Sequence, residues 1–254
     1  NNSSFLSVYP SLHVTAKFKQ HDEDFIVQEN IPIEFSGEGE HCWLYVQKQG
    51  CNTDWLAQQL AKFCGVKQLA VSYAGLKDRH AVTSQWFSVQ LPGLPTPDWA
   101  DFEARFEPGE VKVLRSERHQ KKLQRGALKS NTFRITLREL SQIDEAIFVK
   151  LEQRCQLISQ KGVANYFGKQ RFGRNANNLV QAEKLFSSSA SRSRSRLSRH
   201  KRSLYLSAAR SWIFNSILSE RVKQDVWDKR LAGDVFMLAG KSACFRDEYE
   251  HIDS

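Results

Sequence analysis

The chain reads as an α+β protein in which a mainly antiparallel sheet comes first and a helix-rich part second. Three observations predict this. Short segments with strand spacing crowd the first 140 residues. Two long segments with helical spacing follow, each with start or stop signals. A Gly- and aromatic-rich stretch, NYFGKQRFG at 165–173, marks a change of style between the parts. The domain boundary is accordingly expected near Gly162, with residues 1–161 as one domain and 162–254 as a second.

The elements follow in order. Residues 12–19 and 24–29 carry β-branched and aromatic residues at alternating positions and read as strands, as does HCWLYVQK at 41–48. Asn52-Thr53 caps a helix running to about Cys64. Leu56, Leu60 and Phe63 share one of its faces, and Gly65 stops it. LAVSYA (69–74) and QWFSVQL (85–91) read as buried strands joined by a polar turn, GLKDRHAVTS. A Pro-rich loop at 92–98 leads to strands at about 111–117 and 132–138. A helix from Asp144 to Lys161 ends at Gly162. A helical stretch continues to Phe186. A long helix is expected over 203–223, with Leu204, Ala208, Ile213 and Ile217 on or near its apolar face. DVFMLA closes the readable part as a strand.

The net charge of +9 is unevenly spread. Residues 115–129 hold six Lys/Arg and one Glu, and residues 187–202 hold six Lys/Arg and no acid; elsewhere acids slightly outnumber bases. Clustering of this kind suits a polyanion, although solvated surface faces, or a floppy Ser/Arg loop at 187–202, would have the same composition. No stretch approaches the ~20 apolar residues of a membrane span, and NNSSFLSVYP lacks the form of a signal peptide. The absence of an initial Met leads us to expect residues ahead of it. The five cysteines form no CxxC pair, which argues against a zinc site or a disulfide framework and for reduced thiols in the cytoplasm. No heptad or broad apolar strip stands out, so a monomer is expected.

The most informative segment is GLKDRHAVTSQ at 75–85. It sets one carboxylate, Asp78, between Lys77 and Arg79 at the mouth of two buried strands. Flanking cations favour the ionised carboxylate, which suits a nucleophile or base working on a nucleic acid. By residue type alone the commoner role is equally open: an Asp in such a turn caps its own backbone. His41 and His80 have no acid or nucleophile at a telling spacing and read as structural or surface residues. Glu38 and Glu40 alternate in a Gly loop, which does not establish the opposed carboxylates of a hydrolase.

YAGLKDRHAVTSQWFSV closely resembles the catalytic motif of the TruD family of tRNA pseudouridine synthases. Five further blocks resemble the same family in the same order: EDFIVQE (23–29), GEGEHCWLYVQKQGCNT (37–53), ALKSNTFRITLRE (127–139), GVANYFGKQRFG (162–173) and LSAARSWIFNSILSER (206–221). The resemblance implies a pseudouridine-synthase catalytic sheet with a helix-rich α/β domain inserted from about Gly162, forming an RNA-binding cleft. It implies transfer RNA as partner, uridine 13 as target, and no cofactor or metal. Asp78 would be the catalytic carboxylate. Phe25 would lie against the target base, Lys77 and Arg79 beside Asp78 would engage the substrate, Asn131 would contact the nucleotide, and Phe133 would shape the pocket. Read from the residues, the block Arg171 to Gly173 is expected to order the domain junction, with a reach of Arg171 to RNA as the alternative. The family's chain continues past the point matching Ser254 and returns to the catalytic domain, so this chain is expected to be a fragment. The rival readings are a non-catalytic RNA-binding module, which makes Asp78 a turn residue, and an RNA- or glycoside-cleaving hydrolase.

Overall fold

The computed structural model describes residues 5–141, 143–187, 197–238 and 243–246. The chain divides into two compact units. One is residues 14–142; the other joins the residues up to His13 to those from Ile143 on. The division therefore falls before the 145–161 helix, whereas the sequence style suggested a break after it.

In the first unit, β1 (Lys17–Phe18) leads through a 3₁₀ turn at Asp22–Asp24 into β2 (Phe25–Asn30). There follow β3 (His41–Gln49), α1 (Thr53–Phe63), β4 (Val71–Tyr73) and β5 (Val82–Gln90). The unit continues with α2 (Trp99–Glu103), β6 (Val111–His119), β7 (Ser130–Ile135) and β8 (Leu137–Arg138). The expected 12–19 strand shrinks to two residues because its partner, β8, offers only two. Helix α2 was not legible in the sequence. It is a short turn capped by Asp98, whose Oδ1 accepts from the Ala100 amide at 2.9 Å.

The main sheet has the order β6–β3–β5–β2–β7, with β4 also on β5. It is mixed: β2 and β5 run parallel, and every other pair in it is antiparallel. β5 is its hub. One edge pairs with β3 along its whole length; the other pairs with β2 near Val82–Ser84 and with β4 near Phe87–Val89. Alternate residues of a strand face opposite sides. On one side Cys42, Leu44 and Val46 of β3 and Phe87 and Val89 of β5 pack against Leu56 and Leu60 of α1. On the other, Trp43 and Trp86 pack with Phe35, Tyr45 and Leu123. Both faces of β5 are thus covered, which explains its run of buried residues.

In the second unit, α3 (Glu145–Lys161) is capped by Asp144, whose Oδ1 accepts from the Ile147 amide at 2.7 Å. It ends at Gly162, whose φ of +75° suits glycine. Helix α4 (Asn177–Phe186) packs on α5 (Arg199–Lys223), and β9 (Val235–Met237) pairs with β10 (Cys244–Arg246). The buried face of α5 keeps Ala208 of the expected one and leaves Leu204, Ile213 and Ile217 exposed. Ala208, Ser211 and Asn215 are buried, while Ile213 and Ile217 are each 58% exposed. The Asn215 amide explains part of this: it donates to the Phe167 carbonyl and accepts from the Phe167 amide, both at 2.9 Å. A polar side chain mimicking backbone can occupy an inward position. Among the described residues no helix is long and apolar enough to cross a membrane.

Candidate active site

The loop between β4 and β5 carries Asp78, and the sheet register fixes where that loop lies. Val82, at the start of β5, pairs with Ile26 near the start of β2 and with Gln49 at the end of β3. Phe25 in turn pairs with Ile135 at the end of β7. Four strands therefore place their ends around one corner of the sheet.

The loop is held down by side chains from several elements. Gln85 of β5 donates to the Gly75 carbonyl at 3.2 Å, and Thr53, the first residue of α1, accepts from the Lys77 amide at 3.0 Å. Lys77 points inward: its Nζ donates to Glu29 Oε1 at 2.9 Å, with both side chains buried. The other Glu29 oxygen accepts from the Trp86 amide at 2.7 Å, at the point where β2 parts from β5. Lys77 is therefore a buried anchor of the loop, where the sequence led us to expect a substrate contact. Arg79 is exposed and donates through Nε to the Gly50 carbonyl at 2.9 Å.

The Asp78 carboxylate itself is about half exposed, at 52%. Neither of its sequence neighbours pairs with it. Its partner is Lys19, whose Nζ donates to Asp78 Oδ2 at 2.7 Å. The same ammonium lies 3.7 Å from the centroid of the Phe25 ring, a cation–π distance. Lys19 has a φ of +55°, a left-handed conformation that is uncommon for a side-chain-bearing residue and that recurs at functional sites. Phe25 is flanked by Phe133 at 5.9 Å and by Phe18, edge-on, at 5.5 Å. Phe133 is 54% exposed, so it is a wall open to solvent and not a core aromatic. Asn131 pairs with Glu29 across β2 and β7, and its Oδ1 is buried with no hydrogen-bond partner. Phe25 thus stands at the strand ends beside the Asp78 loop, Phe133 pairs with Val27 in the middle of β2, and Asn131 pairs with Glu29 toward its other end.

A clamp fixes the start of β2. Arg138 of β8 grips the buried Asp24 carboxylate with Nε at 2.9 Å and Nη2 at 2.7 Å. The Arg138 guanidinium holds the Asp24 carboxyl down at about 2, from an ordinary 3.8.

Of the 115–129 cations, Arg115, Lys121, Arg125 and Lys129 are exposed, Arg115 in a surface pair with Glu117. Two others are tied to the fold: Arg118 donates to Thr96 and to the Leu94 carbonyl, and Lys122 donates to the Leu69 carbonyl. Most of the 187–202 segment lies outside the described residues; Arg199, Lys201 and Arg202 belong to the first turn of α5. Arg171 approaches Ser207 at 3.4 Å and stacks over Phe167. Glu38 and Glu40 accept from Gln120 and Gln90. His41 is buried, and burial pushes its imidazole below the ordinary value. Among the described residues no three His, Cys, Asp or Glu side chains are placed to hold a metal.

Sequence reasoning missed Lys19, Glu29 and Lys48. Lys19 had no local signal, because its partner is 59 residues away. Glu29 and Lys48 had one. They continue the inward alternation Phe25, Val27, Glu29 on β2 and Cys42, Leu44, Val46, Lys48 on β3.

Comparison with known proteins gives a consistent result. The profile of the family described as tRNA pseudouridine synthase D (TruD) matches residues 8–185 and 176–254. The chain is 49% identical over 226 residues to the tRNA pseudouridine synthase D of Methylococcus capsulatus, covering 89% of this chain and 60% of the relative. Against that of Hydrogenovibrio crunogenus it is 45% identical over 247 residues, covering 97% and 68%. The chain therefore spans about 60% to 68% of the length of these two relatives. The fold matches a crystal structure described as a putative tRNA pseudouridine synthase D from Methanosarcina mazei. The TM-score is 0.69 at 23% identity, over 91% of this chain and 66% of that one. The chain belongs to the tRNA pseudouridine synthase D (TruD) family.

Proposed function

We propose that the protein isomerises uridine to pseudouridine in transfer RNA, at uridine 13, with Asp78 as the catalytic carboxylate. The observation that carries this reading is the half-exposed Asp78 carboxylate, paired with Lys19 at 2.7 Å beside the Phe25 and Phe133 rings. The reaction breaks the N1–C1′ bond, turns the uracil, joins C5 to C1′, and finally loses the C5 proton as N1 gains one. Atoms and oxidation state balance within the nucleoside, so no redox cofactor is required.

Each residue has a part. Asp78 either attacks C1′ or removes the 2′ proton to give a glycal, and both routes use the ionised form. Lys19 holds that carboxylate in place. Phe25 and Phe133 stack the extruded base, at roughly 1–3 kcal/mol per base, offsetting the few kcal/mol of extrusion. The unpartnered Asn131 Oδ1 accepts the N3–H of uracil, a donor that cytosine lacks. Arg79 and the exposed Lys121, Arg125 and Lys129 draw in the phosphates, which position the RNA without reading sequence. Glu38 and Glu40, each held by a glutamine, do not form the opposed pair that hydrolysis needs.

The test uses a transfer RNA transcript labelled with tritium at uracil C5 and the full gene product. Tritium should pass to water while the RNA keeps its length, and a transcript with cytidine at position 13 should release none. Shortened RNA or free uracil would point to a hydrolase instead.

A further inference from the structure

Beneath the Asp78 loop lies a second lysine that the reaction above does not use. Lys48, near the end of β3, is 0% exposed and leads the fully buried side chains in size. Lysine is almost never fully buried unless paired. Here its Nζ donates to the Cys51 carbonyl at 2.7 Å and to the carbonyl of Asp78 itself at 2.9 Å. Both acceptors are neutral. Burial pushes the ammonium below its ordinary value, opposed in part by Cys51 and Asp78 and aided by Lys77. A side chain kept there against that cost calls for a purpose beyond filling space.

We infer that Lys48 is a positioning residue for Asp78, joining the loop that bears the carboxylate to the 50–52 turn from below. This rests on the function proposed above. The geometry makes the tie specific. Arg79 Nε bonds the Gly50 carbonyl in the same turn, and Lys77 is fixed to Glu29 on the other side. The Asp78 backbone is therefore held directly through its own carbonyl and again through both neighbouring residues. Lys19 meets the carboxylate from its outer end. Lys48 never touches a bound nucleotide in this arrangement; it acts through the backbone of Asp78.

Lys48→Met keeps most of the volume and removes the ammonium. Lys48→Gln keeps a shorter N–H donor. Both are to be made in the full gene product and assayed on an unmodified transfer RNA transcript. A misplacement of about 1 Å can lower turnover about 100-fold, so kcat for Lys48→Met should fall roughly 10- to 100-fold. Transfer RNA affinity should stay within about twofold, because the loss lies in the transition state. Lys48→Gln should recover part of the loss. If Lys48→Met folds and retains kcat within about threefold of wild type, well short of the loss expected for displacement, the positioning role is overturned. Equal losses in kcat and affinity, or failure of both variants to fold, would make Lys48 a general requirement of folding and overturn it too. An inactive wild-type protein would instead defeat the proposed function, which keeps the two failures apart.

Discussion

At the scale of single residues, the site separates the charges that hold the fold from the charge left available for chemistry. The side chains of Glu29, Lys77 and Lys48 are buried and hydrogen-bonded, whereas Asp78 is half exposed with one cation on its carboxylate. The Lys19–Asp78 pair lies at the surface, with the Lys19 side chain 27% and the Asp78 side chain 52% exposed, and surface pairs contribute about 0–1 kcal/mol to stability. Its role is better measured by turnover. Lys19→Ala should leave thermal stability nearly unchanged while lowering kcat by roughly 100-fold, in the range seen when one electrostatic partner of a reacting centre is removed. A drop in stability without a drop in kcat would make the pair structural. Sequence pattern drew attention to Asp78 through its basic neighbours, yet neither neighbour pairs with its carboxylate. A loop turns successive side chains in different directions, so adjacency along the chain is a poor guide to adjacency in space.

At the scale of elements, the Asp24–Arg138 clamp sets the start of β2 and with it Phe25. Because the folded pKa of Asp24 is depressed to about 2 from 3.8, its contribution to stability is complete above about pH 4 and is lost as pH falls toward 2. Arg138→Gln should therefore melt below wild type at neutral pH, with the gap narrowing across that acid window. A gap unchanged by pH would exclude Asp24 as the cause. Elements with strong local signals were legible in advance: α1 with its apolar face of Leu56 and Leu60, and α3 between Asp144 and Gly162. The α5 face was legible only at Ala208, because Ser211 and a backbone-mimicking Asn215 take inward positions that apolar size would assign to isoleucine. Nor was α2, whose single cap follows a loop with no helical period. The buried lysine and glutamate could have been read from strand phase. Their partners could not, since those depend on which strand lies alongside.

At the scale of the whole molecule, the exposed positive charge of the 115–129 segment suits the encounter with a polyanion proposed above. Replacing exposed Lys121, Arg125 and Lys129 with glutamine should reduce the slope of log affinity for transfer RNA against log salt by roughly two to three. Turnover at saturating RNA should persist. An unchanged slope would place the RNA elsewhere on the surface. The central claim is that Asp78 makes pseudouridine. Its most direct test is nucleoside analysis of unmodified transfer RNA after incubation with the full gene product or with its Asp78→Asn form, each shown to bind the RNA. Pseudouridine with wild type and none with the variant is the result this account predicts. Pseudouridine from both, or from neither while the RNA is intact and bound, would contradict it.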